Sequence, residues 1–280
     1  MACHLSLAVT FLATQVAAHG YINTFTLDNV DYEGFSRSTL PPTQSHRLEL
    51  QHPDEGPEVD ISSPDFVCRR GSEPSSNYGH RSRRYCLVIN PNGWAEGHRG
   101  PVLTYIAPCN GDCASVDKAS LRWTKIAESG LVSGPANTEG VWATDVLREN
   151  GGINSATIPK SIAPGKYVLR NEIIALHRAH INEPEFYMQC GNIEVTGDGT
   201  DDLSGVGVPA AKLYSKSDSQ LFGFSVHDSK DNEWPIPGPA LYGPQTSQPS
   251  QKPSPSPSPQ QSRKGSRLVH RAEIDERKQE

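Results

Sequence analysis

Short runs rich in β-branched and aromatic residues, each closed off by turn-forming residues, limit most strongly what this chain can fold into. They occupy Tyr21–Leu27, Val102–Ile106, Leu121–Ile126, Tyr167–Ala175 and Asn192–Val195. Clusters of Gly, Pro, Asn and Asp punctuate them, the pattern of an all-β sandwich. With 24 glycines and 23 prolines, the chain suits short strands and many turns better than a helical bundle. The clearest strand candidate runs from Gly165 to Leu176, where polar residues interrupt a β-branched and aromatic stretch. Stretches 36–64 and 69–98, with their prolines and arginines, read as loops, and loops of that length in a compact domain are usually functional or disordered.

The two ends differ from this middle. Residues 5–18 form an apolar run closing on Val16-Ala17-Ala18, which reads as a signal peptide over 1–18 with cleavage after Ala18. The run is too short to span a bilayer, which takes roughly 20 apolar residues, so the expectation is a secreted, extracellular protein. Cleavage there leaves His19 as the first residue, with an α-amine and an imidazole that can chelate one metal ion together. Residues 19–243 read as one domain. Residues 244–260 form a Pro/Ser/Gln tract, and residues 261–280 are charged with no aromatic side chain, so 244–280 is expected to be a disordered tail.

The formal net charge of −6 argues against a nucleic acid or an anionic membrane as partner. Six cysteines occur, with Cys3 in the leader, and the remaining five suggest two disulfides and one leftover thiol. Cys109 and Cys113 are close enough in sequence for a local bridge. The same CxxxC without a second pair is only a weak zinc signal.

Several motifs then fall in a recognisable order. They are His19-Gly20-Tyr21, His98-Arg99-Gly100-Pro101-Val102 running into Leu103-Thr104-Tyr105, and Trp142-Ala143-Thr144-Asp145. Ile162-Ala163-Pro164-Gly165 through Asn171-Glu172-Ile173-Ile174 to His177 follows, then Phe186-Tyr187-Met188-Gln189-Cys190 and Ile236-Pro237-Gly238-Pro239. In these the sequence resembles the fungal lytic polysaccharide monooxygenases of auxiliary activity family 9, over most of 19–243. The resemblance implies an immunoglobulin/fibronectin-III-like β-sandwich with long loops and a flat, copper-bearing surface.

It also implies one copper ion per chain, held by the amine and ring of His19 and by the ring of His98, with Tyr187 in the axial position. Three nitrogen donors of this kind suit copper, and a terminal amine deprotonates more readily than a lysine. His177 matches a histidine that hydrogen-bonds toward the bound oxidant. Tyr21, Trp234 and Tyr214 are candidates for stacking on sugar rings. Family pairing implies disulfides Cys68–Cys190 and Cys109–Cys113, leaving Cys86 free. The implied activity is oxidative cleavage of cellulose or a related β-1,4-glucan at C1 and/or C4, using O2 or H2O2 and an external electron donor, by a monomer. Hydroxylation at either carbon makes the glycosidic bond break by elimination.

Four departures stand out. Glu185 replaces a usual Gln two residues before Tyr187, and an ionised carboxylate accepts hydrogen bonds where an amide can donate one. Asn171 replaces a usual His, the His177–Tyr187 spacing is one residue short, and 69–97 resembles the family poorly although a strand should run there. Two other readings compete. A glycoside hydrolase would draw paired acids from Glu172, Glu185 and Asp145. A copper- or glucan-binding protein of the same fold, catalytically weakened, is made plausible by Glu185.

Overall fold

The computed structural model describes residues 20–33, 56–69, 72 and 94–243, with the backbone alone at 84–89. Expectations for the leader 1–18, for His19, for the Cys86 thiol and for the tail 244–280 fall outside the described residues.

Strands β1 (Ile22–Leu27), β2 (Val30–Glu33) and β3 (Arg84–Ile89) open the fold, followed by β4 (Val102–Pro108), β5 (Arg122–Ser129), β6 (Leu131–Ser133) and β7 (Val141–Trp142). The single α-helix among the described residues, α1 (Ala143–Glu149), precedes β8 (Ile153–Thr157), β9 (Gly165–Ala175), β10 (Glu185–Val195) and β11 (Val208–Pro209). Among the described residues they make a four-stranded sheet in the order β2-β1-β3-β8, a five-stranded sheet β10-β9-β4-β5-β11 and the small pair β6-β7. All pairings within them are antiparallel. The all-β sandwich is as expected. No helix among the described residues is long and apolar enough to cross a membrane.

The core explains why the strands read as they do. Ile22, Phe25 and Leu27 of β1 pack with Ile106, Leu169, Ile173, Tyr187 and Ile193 of the larger sheet, filling the space between the two sheets. The other face of the larger sheet carries Leu103, Tyr105, Val168, Ile174, Phe186 and Met188. Ile61, Phe66 and Val67 cover it from one segment, and Leu213, Leu221 and Trp234 from another. With both faces covered, β4, β9 and β10 are buried nearly throughout and lack the apolar–polar alternation of a half-exposed antiparallel strand. Cys68–Cys190 pins the segment before it to β10 across a sequence separation of 122, and Cys109–Cys113 closes a turn, both as the family pairing implied.

One expectation is corrected. Stretch 69–98 is not loop throughout as its composition suggested, because β3 runs through it between β1 and β8, in the region where the family resemblance called for a strand. The run Tyr85-Cys-Leu-Val-Ile is strand-like, but Arg81, Arg83 and Arg84 before it and Pro91 and Gly93 after it give the region a loop composition. Pairing on both edges satisfies backbone groups that a buried loop would leave unbonded.

Candidate metal centre

One end of the five-stranded sheet collects the titratable side chains. There the segment Trp94–Pro101 enters β4 alongside the end of β9. Ile174 N–H donates to the Pro101 carbonyl at 3.2 Å and Leu176 N–H to the Arg99 carbonyl at 2.8 Å. These bonds carry the β4–β9 pairing beyond Val102↔Ile173. The extension seats His98 beside His177, with ring centroids 4.3 Å apart and tilted by 42°.

The glycine in His-Arg-Gly-Pro is required by this approach, since a Cβ at Gly100 would lie 1.9 Å from the Ile174 carbonyl oxygen. Two side chains brace the segment. Thr144 Oγ1, from the first turn of α1, accepts from Gly100 N–H at 3.0 Å, and Trp94 Nε1 donates to the His98 carbonyl at 2.8 Å.

β10 supplies the rest. Glu185 pairs with Ala175 and Tyr187 with Ile173, so the two β10 residues share one face of the strand. The Tyr187 hydroxyl donates to Glu185 Oε2 at 2.7 Å. Trp94 meets the Tyr187 ring edge-on at 5.0 Å between centroids. Glu185 therefore sits at the middle of the cluster, with Oε2 3.8 Å from His98 Nε2 and Oε1 3.6 Å from His177 Nε2. Arg178 Nε lies 3.9 Å from Oε1 on the solvent side. Ligand atoms of His98, His177 and Glu185 all fall within 4.8 Å of one another.

Burial lowers the pKa of His177, and Arg178, His227 and His180 push the same way against the opposing Glu185 carboxylate. His177 is therefore neutral at pH 7 and keeps a lone pair for a metal or a hydrogen bond. Its Nδ1 is buried with no hydrogen-bond partner among the described residues. Tyr187 is 4% exposed, and burial, then the bond to Glu185 and its charge, raise the phenol well above the ordinary tyrosine range. It stays a neutral phenol.

The residues leading to His19 are drawn to the same region. Gly20 is buried, and Ile22 N–H donates to Gln189 Oε1, on the face of β10 that carries Glu185 and Tyr187. Tyr21 is half-buried.

Two proposed sugar contacts are corrected. Tyr214 is 5% exposed and its hydroxyl is bonded to Tyr105 and Glu172, so it completes an internal polar network. Trp234 is 7% exposed and packs against Trp142 at 5.2 Å between centroids and against Phe224. Neither ring is presented for stacking on a sugar.

The paired acids of a hydrolase also fail to assemble. Glu172 is fully buried against Arg170, and Asp145 accepts from Trp142 N–H at 2.9 Å at the start of α1, beside Arg99 and Arg148. Trp94, Thr144 and Gln189 were not anticipated as parts of the site. The last two stand inside quoted motifs, so position in a motif was their available signal.

The donor chemistry is compatible with copper: two imidazoles and one carboxylate, with no thiolate among the clustered groups, beside a neutral phenol. The sequence profile of Auxiliary Activity family 9 (formerly GH61) matches residues 19–234. AA9 family lytic polysaccharide monooxygenase F of Malbranchea cinnamomea is 41% identical over 235 residues, covering 82% of this chain and 94% of that protein. Among solved structures, the extended catalytic domain of H. jecorina LPMO9A aligns with a TM-score of 0.72 and 34% identity, covering 80% of this chain and 91% of that one. A cellulose-active polysaccharide monooxygenase from M. thermophila aligns with a TM-score of 0.70 and 29% identity, covering 80% and 99%. By profile, sequence and fold alike, the chain belongs to auxiliary activity family 9, the copper-dependent lytic polysaccharide monooxygenases.

Proposed function

We propose that this chain is a secreted, monomeric enzyme that cleaves cellulose or a related β-1,4-glucan at C1 and/or C4, with copper held by the amine and ring of His19 and the ring of His98. The observation that carries this reading is the convergence of His98, Tyr187 and the start of β1 on one end of the larger sheet, through the Gly100 approach and the Ile22–Gln189 bond. The family profile begins its match at residue 19 and ends it at 234, which supports a mature chain beginning at His19 with 1–18 as its leader, and 244–280 is read as its tail from its Pro/Ser/Gln and charged composition. A β-1,4-glucan substrate is supported by the cellulose-active relative.

Copper held by the amine and ring of His19 and the ring of His98 would supply one-electron chemistry toward a sugar C–H bond, with an external electron donor and O2 or H2O2 as co-reactants. The protein's own residues have five roles there. Trp94 and Thr144 hold the His98 segment in place. Tyr187 would stand beside the bound metal as a neutral phenol. His177, neutral and partly exposed, would offer a hydrogen bond to O2 or H2O2 arriving beside that metal. Glu185 fixes the Tyr187 hydroxyl and presents only acceptor atoms where an amide would donate. Tyr21 remains as the sugar contact beside the site.

Glu185 also favours a second reading, a copper- or glucan-binding protein with weakened catalysis. One experiment separates the two. The secreted protein is sequenced from its N-terminus, titrated with Cu(II), and incubated with cellulose, a reductant and O2 before mass spectrometry of the products. The proposed enzyme begins at His19, takes one Cu(II) and releases oxidised oligosaccharides. A chain starting elsewhere overturns the ligand set, and copper binding without oxidised products leaves the binder.

A further inference from the structure

We propose that His98, His177 and Glu185 form a second divalent-metal site that takes Zn(II) through His98 Nε2, His177 Nε2 and the Glu185 carboxylate, independently of His19 and in competition with copper at the shared His98. Two histidines and one carboxylate, with a fourth position left to water, form a common zinc donor set. The copper brace would need the first residue of the mature chain, whereas this set comes wholly from the His98 segment, the end of β9 and the start of β10.

Geometry supports the assignment. With zinc bonds of about 2.0–2.2 Å, tetrahedral ligand atoms stand roughly 3.3–3.6 Å apart. The Glu185 oxygens already lie 3.8 Å and 3.6 Å from the two histidine nitrogens, and all three ligand atoms fall within 4.8 Å. Closure needs side-chain adjustment, and all three side chains are only partly buried. The supports are in place as well. Tyr187 donates to Glu185 Oε2, and Trp94 anchors the His98 backbone. Groups of this kind orient ligands and raise affinity. Arg178 approaches Oε1 from outside, but its side chain is 45% exposed and can turn to solvent when a cation enters.

The usual Gln at position 185 would offer a far weaker ligand, so the site follows from this chain's own substitution. Zinc has no redox chemistry. An ion seated here would occupy His98 and idle the copper centre without damaging it.

The test uses the full secreted chain and Zn(II) as probe. By calorimetry, His19→Ala should bind one Zn(II), and adding Glu185→Gln to that background should raise the Kd by at least about tenfold, the low end of the loss from removing a supporting group. No Zn(II) binding by His19→Ala, or an unchanged Kd on adding Glu185→Gln, overturns the proposal. Circular dichroism melts confirm that each variant is folded. If His19→Ala is not secreted, the wild-type background decides. There Zn(II) should displace Cu(II) at a half-displacement concentration at least about tenfold lower than in Glu185→Gln, and equal displacement overturns the proposal. Cu(II) electron paramagnetic resonance reports separately on the brace. A spectrum indifferent to His19→Ala refutes the copper ligand set whatever Zn(II) does.

Discussion

Replacing Glu172 with Gln removes one charge from an ion pair enclosed on all sides. Arg170 and Glu172 stand two residues apart on β9, so both project to the same face of the sheet, and both side chains are 0% exposed. The guanidinium meets the carboxylate through two bonds of 2.9 Å, the bidentate fork. Its Nε–H and second Nη2–H donate to the carbonyls of Val67 and Phe66 at 2.9 and 3.2 Å. Burial alone would lower the pKa of Arg170, but the Glu172 carboxylate, with Tyr214 and Tyr105 beyond it, holds it above the ordinary arginine value.

Two unit charges about 4 Å apart attract by about 4 kcal/mol at an effective dielectric of about 20. Removing one partner of a buried pair costs about 3–5 kcal/mol. The two figures agree, so Glu172→Gln should lose about 4 kcal/mol, a fall in Tm on the order of 10 °C for a domain of this size. The assay is guanidinium chloride unfolding of the disulfide-intact protein, followed by tryptophan fluorescence, with Arg170→Gln and the double variant completing a cycle. The double variant should be less destabilised than the sum of the singles by at least about 2 kcal/mol, because it leaves no charge behind. A Glu172→Gln protein within about 1 kcal/mol of the parent, with additive singles, would show that the pair contributes no net coupling.

Three further outcomes are expected. Glu185→Gln should restore a hydrogen-bond donor beside His98 and His177, raising the rate of oxidised-product release and altering its pH profile while one Cu(II) still binds; an unchanged rate and profile refutes the role given to the carboxylate. Thr144→Val should leave the Gly100 N–H without its acceptor, at about 1–3 kcal/mol of stability, and weaken copper binding through His98; unfolding curves and a copper titration check both. Replacing both cysteines of Cys68–Cys190 with serine should cost more than the same change at Cys109–Cys113, at about 5 against about 2 kcal/mol in the chain-entropy estimate for loops of these lengths; equal costs refute loop length as the source of the stabilisation.

How much of this was legible in the sequence depends on whether the property in question is local. β4 and β9 were readable because both faces of the larger sheet are covered, so apolar residues crowd each strand and turn residues mark its ends. The first half of β10 was recognisable only as a motif, since Glu185-Phe-Tyr-Met-Gln-Cys-Gly contains two polar residues and a glycine and its pairing with β9 is long-range. β3 was concealed from composition by flanking arginines, and only the family resemblance called for a strand there. Burial was the least legible property: Tyr214 and Trp234 carry nothing that distinguishes a sugar platform from a core ring. Tyr214 is inward because Glu172, 42 residues away, needs its hydroxyl. Glu185 shows the same limit from the other side. The sequence exposed it as a substitution, and hydrogen-bonding capacity alone located its chemical consequence. That the carboxylate lies between two imidazoles follows only from register. Ala175 opposite Glu185 puts His177 just past the pairing, and the Arg99 and Pro101 carbonyls bring His98 to the same edge. A change that reads in one dimension as a lost donor is in three dimensions a gained ligand, and Zn(II) binding by the His19→Ala chain decides whether the second description holds.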